Sequence, residues 1–445
     1  MFKTLRNAFK IKDLRTKILY TLGALLIVRL GSLIPVPGVN QAYFQTWLDS
    51  TMGDNLGFLD ALTGGSFTQM SIFALNISPY ITSSIIMQLL TIAIPKLEEL
   101  QKDGEDGRKK IAEISRYLTI GLAIVESVAM VIGFNNSQGV LSGGSLFTNI
   151  VVITASFTAG SAFLMWLGER ITQRGVGNGI SMILLVNIVA TMPSDFKNLS
   201  DKFITGASNV GMGILGAVII LAVILITVVL IILLQDAQRR IAVQYAKKVQ
   251  GRGMVGGQSS FIPLKVNTAG VIPVIFAGSL MSTPIIISSF FGVQPARAHF
   301  WPKVLYMLSQ QNWFNFDSFG EFKYTLGAVI YIALIIFFAY FYTSITFNPM
   351  EIANNMKKQG GFIPGIRPGR PTTEYLNKVL NYIIFIGAIG LTIVAIIPIF
   401  FTGAFGAQVS FGGTSLIIVV GVVLETLKQI ESQMLVRHYK GFLND

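Results

Sequence analysis

Ten long apolar runs divide this 445-residue chain, and its basic side chains collect in every second gap between them. The runs lie near 18–37, 76–95, 117–134, 149–169, 178–193, 213–235, 270–291, 324–346, 379–401 and 413–433. A bilayer core takes about 20 mostly apolar residues per helix, so each run predicts a membrane-spanning helix, the fifth a short one. Clustered charge fills the segments from Lys96 to Arg116, Arg239 to Lys265 and Lys357 to Lys378. The alternate gaps hold Lys197, Lys202, Arg297, Lys303 and Lys323. By the positive-inside rule the basic gaps are cytoplasmic. With ten spans, both termini are then cytoplasmic too. A soluble chain has no reason to alternate its charge in this way.

Composition agrees. The chain is 52% hydrophobic and 13% charged, against about 25% charged in an average soluble domain. Its net charge of +12 would be concentrated on one face of the membrane. Such a face attracts anionic lipid headgroups, nucleic-acid phosphates or acidic protein surfaces. The absence of cysteine excludes disulfides, thiolate metal sites and cysteine nucleophiles. The histidines, His299 and His438, lie outside the spans, so no metal site or proton relay built on histidine is expected in the membrane. No cofactor is expected. The N-terminus, MFKTLRNAFKIKDLRTK, has the basic start of a signal peptide. The run that follows contains Arg29 and ends in LIPVPGV without a small-x-small cleavage site, so it reads as a retained first helix.

Helix count suggests two halves of five spans, 1–200 and 201–445, joined near 194–212. Five is odd, so the second half would sit inverted, and inverted repeats commonly place a pathway at their interface. No residue-level self-similarity supports the repeat. The external stretch 38–75 contains LGFLDALTGGSFTQ (56–69), which is apolar but too short to cross a bilayer. It is either a re-entrant element over a cavity or an interfacial helix, and composition alone favours the interfacial reading. Two cytoplasmic loops are long, near 236–269 and 347–378. In the first, Ile241, Val243 and Tyr245 alternate with Ala242, Gln244 and Ala246 before GRGMVGG and SSFIPLKV, the pattern of a projecting β-hairpin. The second carries a helical PMEIANNMKK and then GGFIPGIRPGRP, a stiff Gly/Pro loop displaying Arg367 and Arg370. Loops this long are functional or disordered, and basic, exposed, stiff loops suit docking of a large anionic partner.

Seven segments carry a resemblance that runs essentially end to end: GSLIPVPGV (31–39), SIFALNISPYITSSIIMQLL (71–90), FLMWLGERITQRGVGNGIS (163–181), QRRIAVQYAKK (238–248), PLKVNTAGVIPVIFA (263–277), FNPMEIANNMKKQGGFIPGIRPG (347–369) and FGGTSLIIVVGV (411–422). The chain resembles the SecY/Sec61-alpha family, the channel subunits of the Sec protein translocase. Alone, GVGNG would suggest only a tight turn between the fourth and fifth spans.

The resemblance implies an all-α polytopic membrane protein. Ten helices would form two pseudo-symmetric inverted halves around a central pore, with a plug and a lateral gate. It implies a pore ring of Ile77, Ile81, Leu184, Ile188, Ile275 and Ile418. Leu184 stands where isoleucine is common. An apolar constriction resists ions by dewetting, yet yields around a passing peptide. Without the resemblance, aliphatic i, i+4 pairs are ordinary in membrane helices. The plug would include Leu56, Phe58, Leu59, Leu62, Gly64 and Gly65, which reverses the interfacial reading in favour of a re-entrant one. The lateral gate, between spans two and three and spans seven and eight, would use Gln88, Glu126 and Pro273. Pro273 and Pro284 are candidate kinks in span seven. Glu126 is either a functional intramembrane carboxyl or a hydrogen-bonded structural one. For docking SecA and the ribosome the resemblance points to Arg367 and Arg370, to Arg239, Arg240, Lys247, Lys248 and Arg252, and to Lys357 and Lys358. Cationic loops would meet ribosomal RNA phosphates. Implied partners are SecE and SecG, SecA, the ribosome, signal peptides and unfolded preproteins, anionic lipids, and YidC and SecDF, at the bacterial plasma membrane.

The function expected is passive conduction of proteins, with no chemistry of the chain's own. No Walker-type phosphate loop and no nucleophile–base set is present in the sequence. A secondary transporter also predicts ten spans, but wants polar groups near the midplane. Here the obvious intramembrane ionisable residues are few: Arg29, Glu126 and Glu425 near the tenth span. An intramembrane protease lacks its paired aspartates, Ser/His pair or HExxH site.

Overall fold

Each of the ten apolar runs forms a helix, because in lipid the backbone must satisfy its own hydrogen bonds. The computed structural model describes residues 2–51, 63–135, 140–141, 145–205, 210–245, 248–250, 253–255, 259–290, 293, 299–309, 325–405 and 413–441. Its helices run in chain order. In the first half they are α1 (Phe2–Lys10), α2 (Lys12–Gly31), α3 (Gln41–Thr51), α4 (Ser78–Ala93), α5 (Pro95–Lys102), α6 (Glu105–Asn135), α7 (Leu146–Arg174) and α8 (Gly179–Ser200). In the second they are α9 (Val210–Asp236), α10 (Ile272–Phe290), α11 (Phe300–Leu308), α12 (Leu326–Thr346), α13 (Pro349–Lys358), α14 (Arg370–Phe405) and α15 (Gly413–Gly441). The spans are α2, α4, α6, α7, α8, α9, α10, α12, α14 and α15. Among the described residues five helices are long and apolar enough to cross a membrane alone, and the pair α4–α5, bent by 102°, makes a sixth. The remaining spans are short or charged near one end.

Several boundaries differ from the sequence expectation. The first span ends at Gly31 rather than near 37, since Pro35 and Pro37 force extended backbone. Residues 34–36 instead pair with the 70–72 stretch: Val36 N donates to Met70 O at 2.9 Å and Ile72 N to Ile34 O at 3.0 Å. Helices α6 and α14 start well before their apolar runs, carrying charged turns beyond the bilayer. Pro273 is the second residue of α10, where its missing N–H costs nothing. It starts the helix rather than kinking it, and Pro284 alone lies inside.

Local signals explain the other ends. Ser145 caps α7, accepting from Thr148 N at 3.3 Å. Asn348 caps α13, accepting from Met350 N at 3.2 Å and Glu351 N at 3.4 Å, with Pro349 at the first helical position. The GVGNG stretch is a turn between α7 and α8, tied down by Val176 N to Thr21 Oγ1 at 3.0 Å and Gly179 N to Thr172 Oγ1 at 2.8 Å.

Within the first five spans α4 packs on α6, α6 on α7, and α2 on both α7 and α8. Within the last five α10 packs on α12, α12 on α14, and α9 on α14 and α15. The two sets meet through α6 against α10 and through α8 against α15. Gly160 of α7 marks one close approach: a Cβ there would fall on the Ile72 carbonyl oxygen. Gly160→Val should therefore push α7 off the 70–72 stretch and cost about 1–3 kcal/mol or more, read as earlier thermal unfolding in detergent. On α9, Leu215, Val218, Leu221, Leu225, Val229 and Leu233 each expose more than half their surface. That stripe belongs to a bilayer, not to water.

The hairpin in the first long loop is present. Strand β1 (Gln238–Tyr245) pairs antiparallel with β4 (Ser259–Lys265), in the register Ile241↔Ile262 and Val243↔Ser260, and β2 (Lys248–Gln250) pairs with β3 (Gly253–Val255) toward its tip. A third strand, β5 (Gly361–Phe362), comes from the second loop and pairs with Gln244 and Tyr245 of β1. The two loops thus form one sheet, ordered β4–β1–β5. Beneath it Ile241, Val243, Leu264, Met356, Ile363, Leu376 and Ile383 form a small core of their own.

Candidate pore and docking surface

The proposed ring starts at the entry to α4. Ile77 is the residue before the helix, with φ −96° and ψ 8°, and Ile81 N donates to Ile77 O at 3.0 Å, so both keep helical spacing. Leu184 and Ile188 are one turn apart on α8, Ile275 is in the first turn of α10, and Ile418 is in the second turn of α15. The fold gathers all six into one apolar cluster. Ile77, Ile188 and Ile418 are each 1% exposed, Leu184 6% and Ile275 7%, and Ile81 packs against them half-buried. Phe73 and Phe276 join the same cluster. Contributions from both halves meet there, so any route between the halves through this point is closed by apolar side chains.

The segment expected to form the plug is described only from residue 63. Leu56, Phe58, Leu59 and Leu62 lie outside the described residues. The remainder is inside the protein rather than at an interface: Thr63, Ser66, Phe67 and Met70 are almost wholly buried. This corrects the reading from composition for that part. Gly64 has φ +66°, and a Cβ on it would lie 2.8 Å from Asn187 Cα of α8. Only glycine takes both that backbone and that contact comfortably. Gly65, at φ +81°, continues the turn.

The gate candidates are placed but not joined. Gln88 on α4 donates to Ser84 Oγ at a long 3.5 Å, and Glu126 sits half-buried on α6, the helix that meets α10. The two are not hydrogen-bonded to each other. A buried hydroxyl contact holds α4 to α6 instead, Ser83 Oγ donating to Ser115 O at 2.7 Å.

On the charged side, Arg367 is exposed in the turn after β5, and Thr372 Oγ1 donates to its carbonyl at 2.9 Å. Its side chain is free to meet a partner while its backbone is fixed. Arg370 opens α14 and pairs with Glu374 at 3.0 Å, which lessens its net charge. Arg239 and Arg240 are exposed on β1, with the Arg240 guanidinium 4.9 Å above the Phe261 ring. Lys357 and Lys358 are exposed at the end of α13. Lys248 lies on β2, while Lys247 and Arg252 lie outside the described residues. The shared sheet brings these two loops together, a link the sequence signalled only as a Gly-Phe pair after a helix. Two further residues escaped notice. Asn76 (φ +51°) and Asn187 are polar positions inside apolar runs, which was the available signal.

A SecY family model matches residues 71–427. The protein translocase subunit SecY of Streptomyces scabiei is 43% identical over 456 aligned residues, covering 100% of both chains. Among solved structures, a SecY protein whose plug domain is described as stabilising the closed state of the translocation channel and maintaining a membrane seal superposes with a TM-score of 0.62 at 19% identity. The match covers 94% of this chain and 92% of that one. Sec61 from a canine ribosome–channel complex of the endoplasmic reticulum gives 0.59 at 18% identity, with 94% and 92% covered. These two establish a shared fold. With a family match over residues 71–427 and a full-length relative at 43% identity, the chain belongs to the SecY family of multi-pass protein translocase subunits.

Proposed function

We propose that this chain is the central subunit of a protein-conducting channel that passes unfolded preproteins across the plasma membrane and releases membrane segments sideways into lipid. The observation that carries it is the convergence of six aliphatic side chains from both halves, with Gly64 packed against Asn187, the residue before Ile188. An apolar ring of this kind seals against ions yet can part around a chain. The halves 1–200 and 201–445 would open about this ring. The buried segment suits the plug role described for one fold neighbour. Glu126 is on α6, the helix that meets α10, and Gln88 is on α4, which packs on α6, an arrangement that suits a lateral gate. The joined basic loops suit docking of the SecA motor and of the ribosome, as in the other fold neighbour's complex. SecE bracing the halves, SecG at the periphery, and YidC and SecDF as later partners complete the assembly, with both termini cytoplasmic.

The test is reconstitution of the chain with SecE and SecG in vesicles, with SecA and ATP added outside. A signal-bearing preprotein should become protease-protected, and protection should vanish without SecA. No protection, with the complex intact and SecA bound, would remove this reading and return small-solute transport.

A further inference from the structure

The charge of Arg29 in the first span has no role in the ring, the gate or the docking loops. Its Nη1 donates to the Gly64 carbonyl at 3.0 Å. The preceding carbonyl, Thr63 O, accepts from Asn76 Nδ2 at 3.2 Å. Two consecutive carbonyls at the start of the buried 63–70 segment are therefore held by side chains from two separate elements. Asn76 can do this because its left-handed backbone turns the side chain back, and its Oδ1 also accepts from Ile77 N at 2.8 Å. Ile77 is itself a ring residue. On the other side Gly64 lies flat against Asn187, the residue before Ile188 of the ring. Downstream, the segment is fixed by the backbone pairing of 70–72 with 34–36.

We propose that Arg29 and Asn76 are positioning residues for the closed channel: together they pin the Thr63–Gly64 peptides against α8 beside the ring, and opening requires that pin to release. The inference rests on the channel reading above. A guanidinium partly withdrawn from water binds a carbonyl more strongly than a neutral donor does. A neutral side chain at position 29 removes that hold without touching the ring. Lysine keeps a charged donor on a flexible stem, so it should keep most of the hold.

The experiment measures ion leak from vesicles holding the whole channel complex, and export of a preprotein with a defective signal. Arg29→Gln should raise resting leak roughly 10- to 100-fold, the weight of one charge-assisted hydrogen bond, and should pass the defective preprotein. Arg29→Lys should restore most of the seal. Asn76→Gly keeps the left-handed backbone and removes the amide, and Gly64→Ala forces the peptide off Asn187; both should leak. Tight vesicles and normal signal stringency for Arg29→Gln, assembled at the wild-type level, overturn the proposal. If Arg29→Gln does not assemble, the Asn76→Gly and Gly64→Ala variants decide it, and a tight seal in both overturns it. A wild-type complex that protects no preprotein would overturn the channel reading itself, a separate result from a wild-type complex that works and variants that do not leak.

Discussion

Ile275→Asn should make the resting channel conduct ions and accept preproteins with weak signals. Ile275 is 7% exposed among Ile77, Leu184, Ile188 and Ile418. An amide placed there finds aliphatic neighbours in the sealed arrangement, which costs about 1–3 kcal/mol for an unpaired buried polar group. In an opened, wetted ring the same amide is solvated. The penalty therefore falls mainly on the closed form, and moves the closed–open balance roughly 10- to 100-fold toward open. The amide also nucleates water in a constriction whose seal depends on dewetting. Planar-bilayer conductance of the complex, with export of a signal-defective preprotein, reads both effects. Ile275→Leu conserves volume and should remain tight. Unchanged conductance and stringency in Ile275→Asn, with normal assembly, would remove Ile275 from the ring.

Arg367→Glu should cripple SecA-dependent transport or ribosome binding while leaving the fold intact. The side chain is exposed, and among the described residues the hydrogen bond that fixes this position is to its backbone carbonyl. In water an attractive pair at about 4 Å is worth about 1 kcal/mol, and reversing the charge makes it about 1 kcal/mol repulsive. The swing of about 2 kcal/mol is more than tenfold in affinity. Wild-type and variant affinities should converge as salt rises, because the difference is electrostatic. Sedimentation with ribosomes and SecA binding across a salt series would measure it. Normal behaviour in both assays would end the docking role. Arg370→Glu should do less, since Arg370 already pairs with Glu374.

Local pattern made some features legible and not others. The hairpin was readable because alternation of period two needs no partner to be seen: Ile241 and Val243 face its core as the spacing required. The PMEIANNMKK helix was readable too, and in the structure it starts at an Asn348 cap with Pro349 at its first position. Strand β5 was not, because two residues carry no period, and its pairing with Gln244 and Tyr245 depends on where the second loop returns. Pro273 misled because a proline in an apolar run reads as a kink until the helix start is known. The 63–70 segment misled because its composition suits an interface, while Phe67 and Met70 are buried among side chains of α3, α6 and α7 and Gly64 against α8.

Local sequence specified the spans, the exposed basic loops and the family motifs. These follow from local hydropathy, charge and turn chemistry, which act residue by residue. Tertiary structure alone decided which faces meet. Span helices are apolar nearly all round, so no amphipathic stripe announces the inward side, and packing in lipid is chosen by shape and by a few polar contacts. That choice gathers Ile77, Leu184, Ile275 and Ile418 into one knot, joins two loops into one sheet, and sets the Arg29 guanidinium on the carbonyl of Gly64.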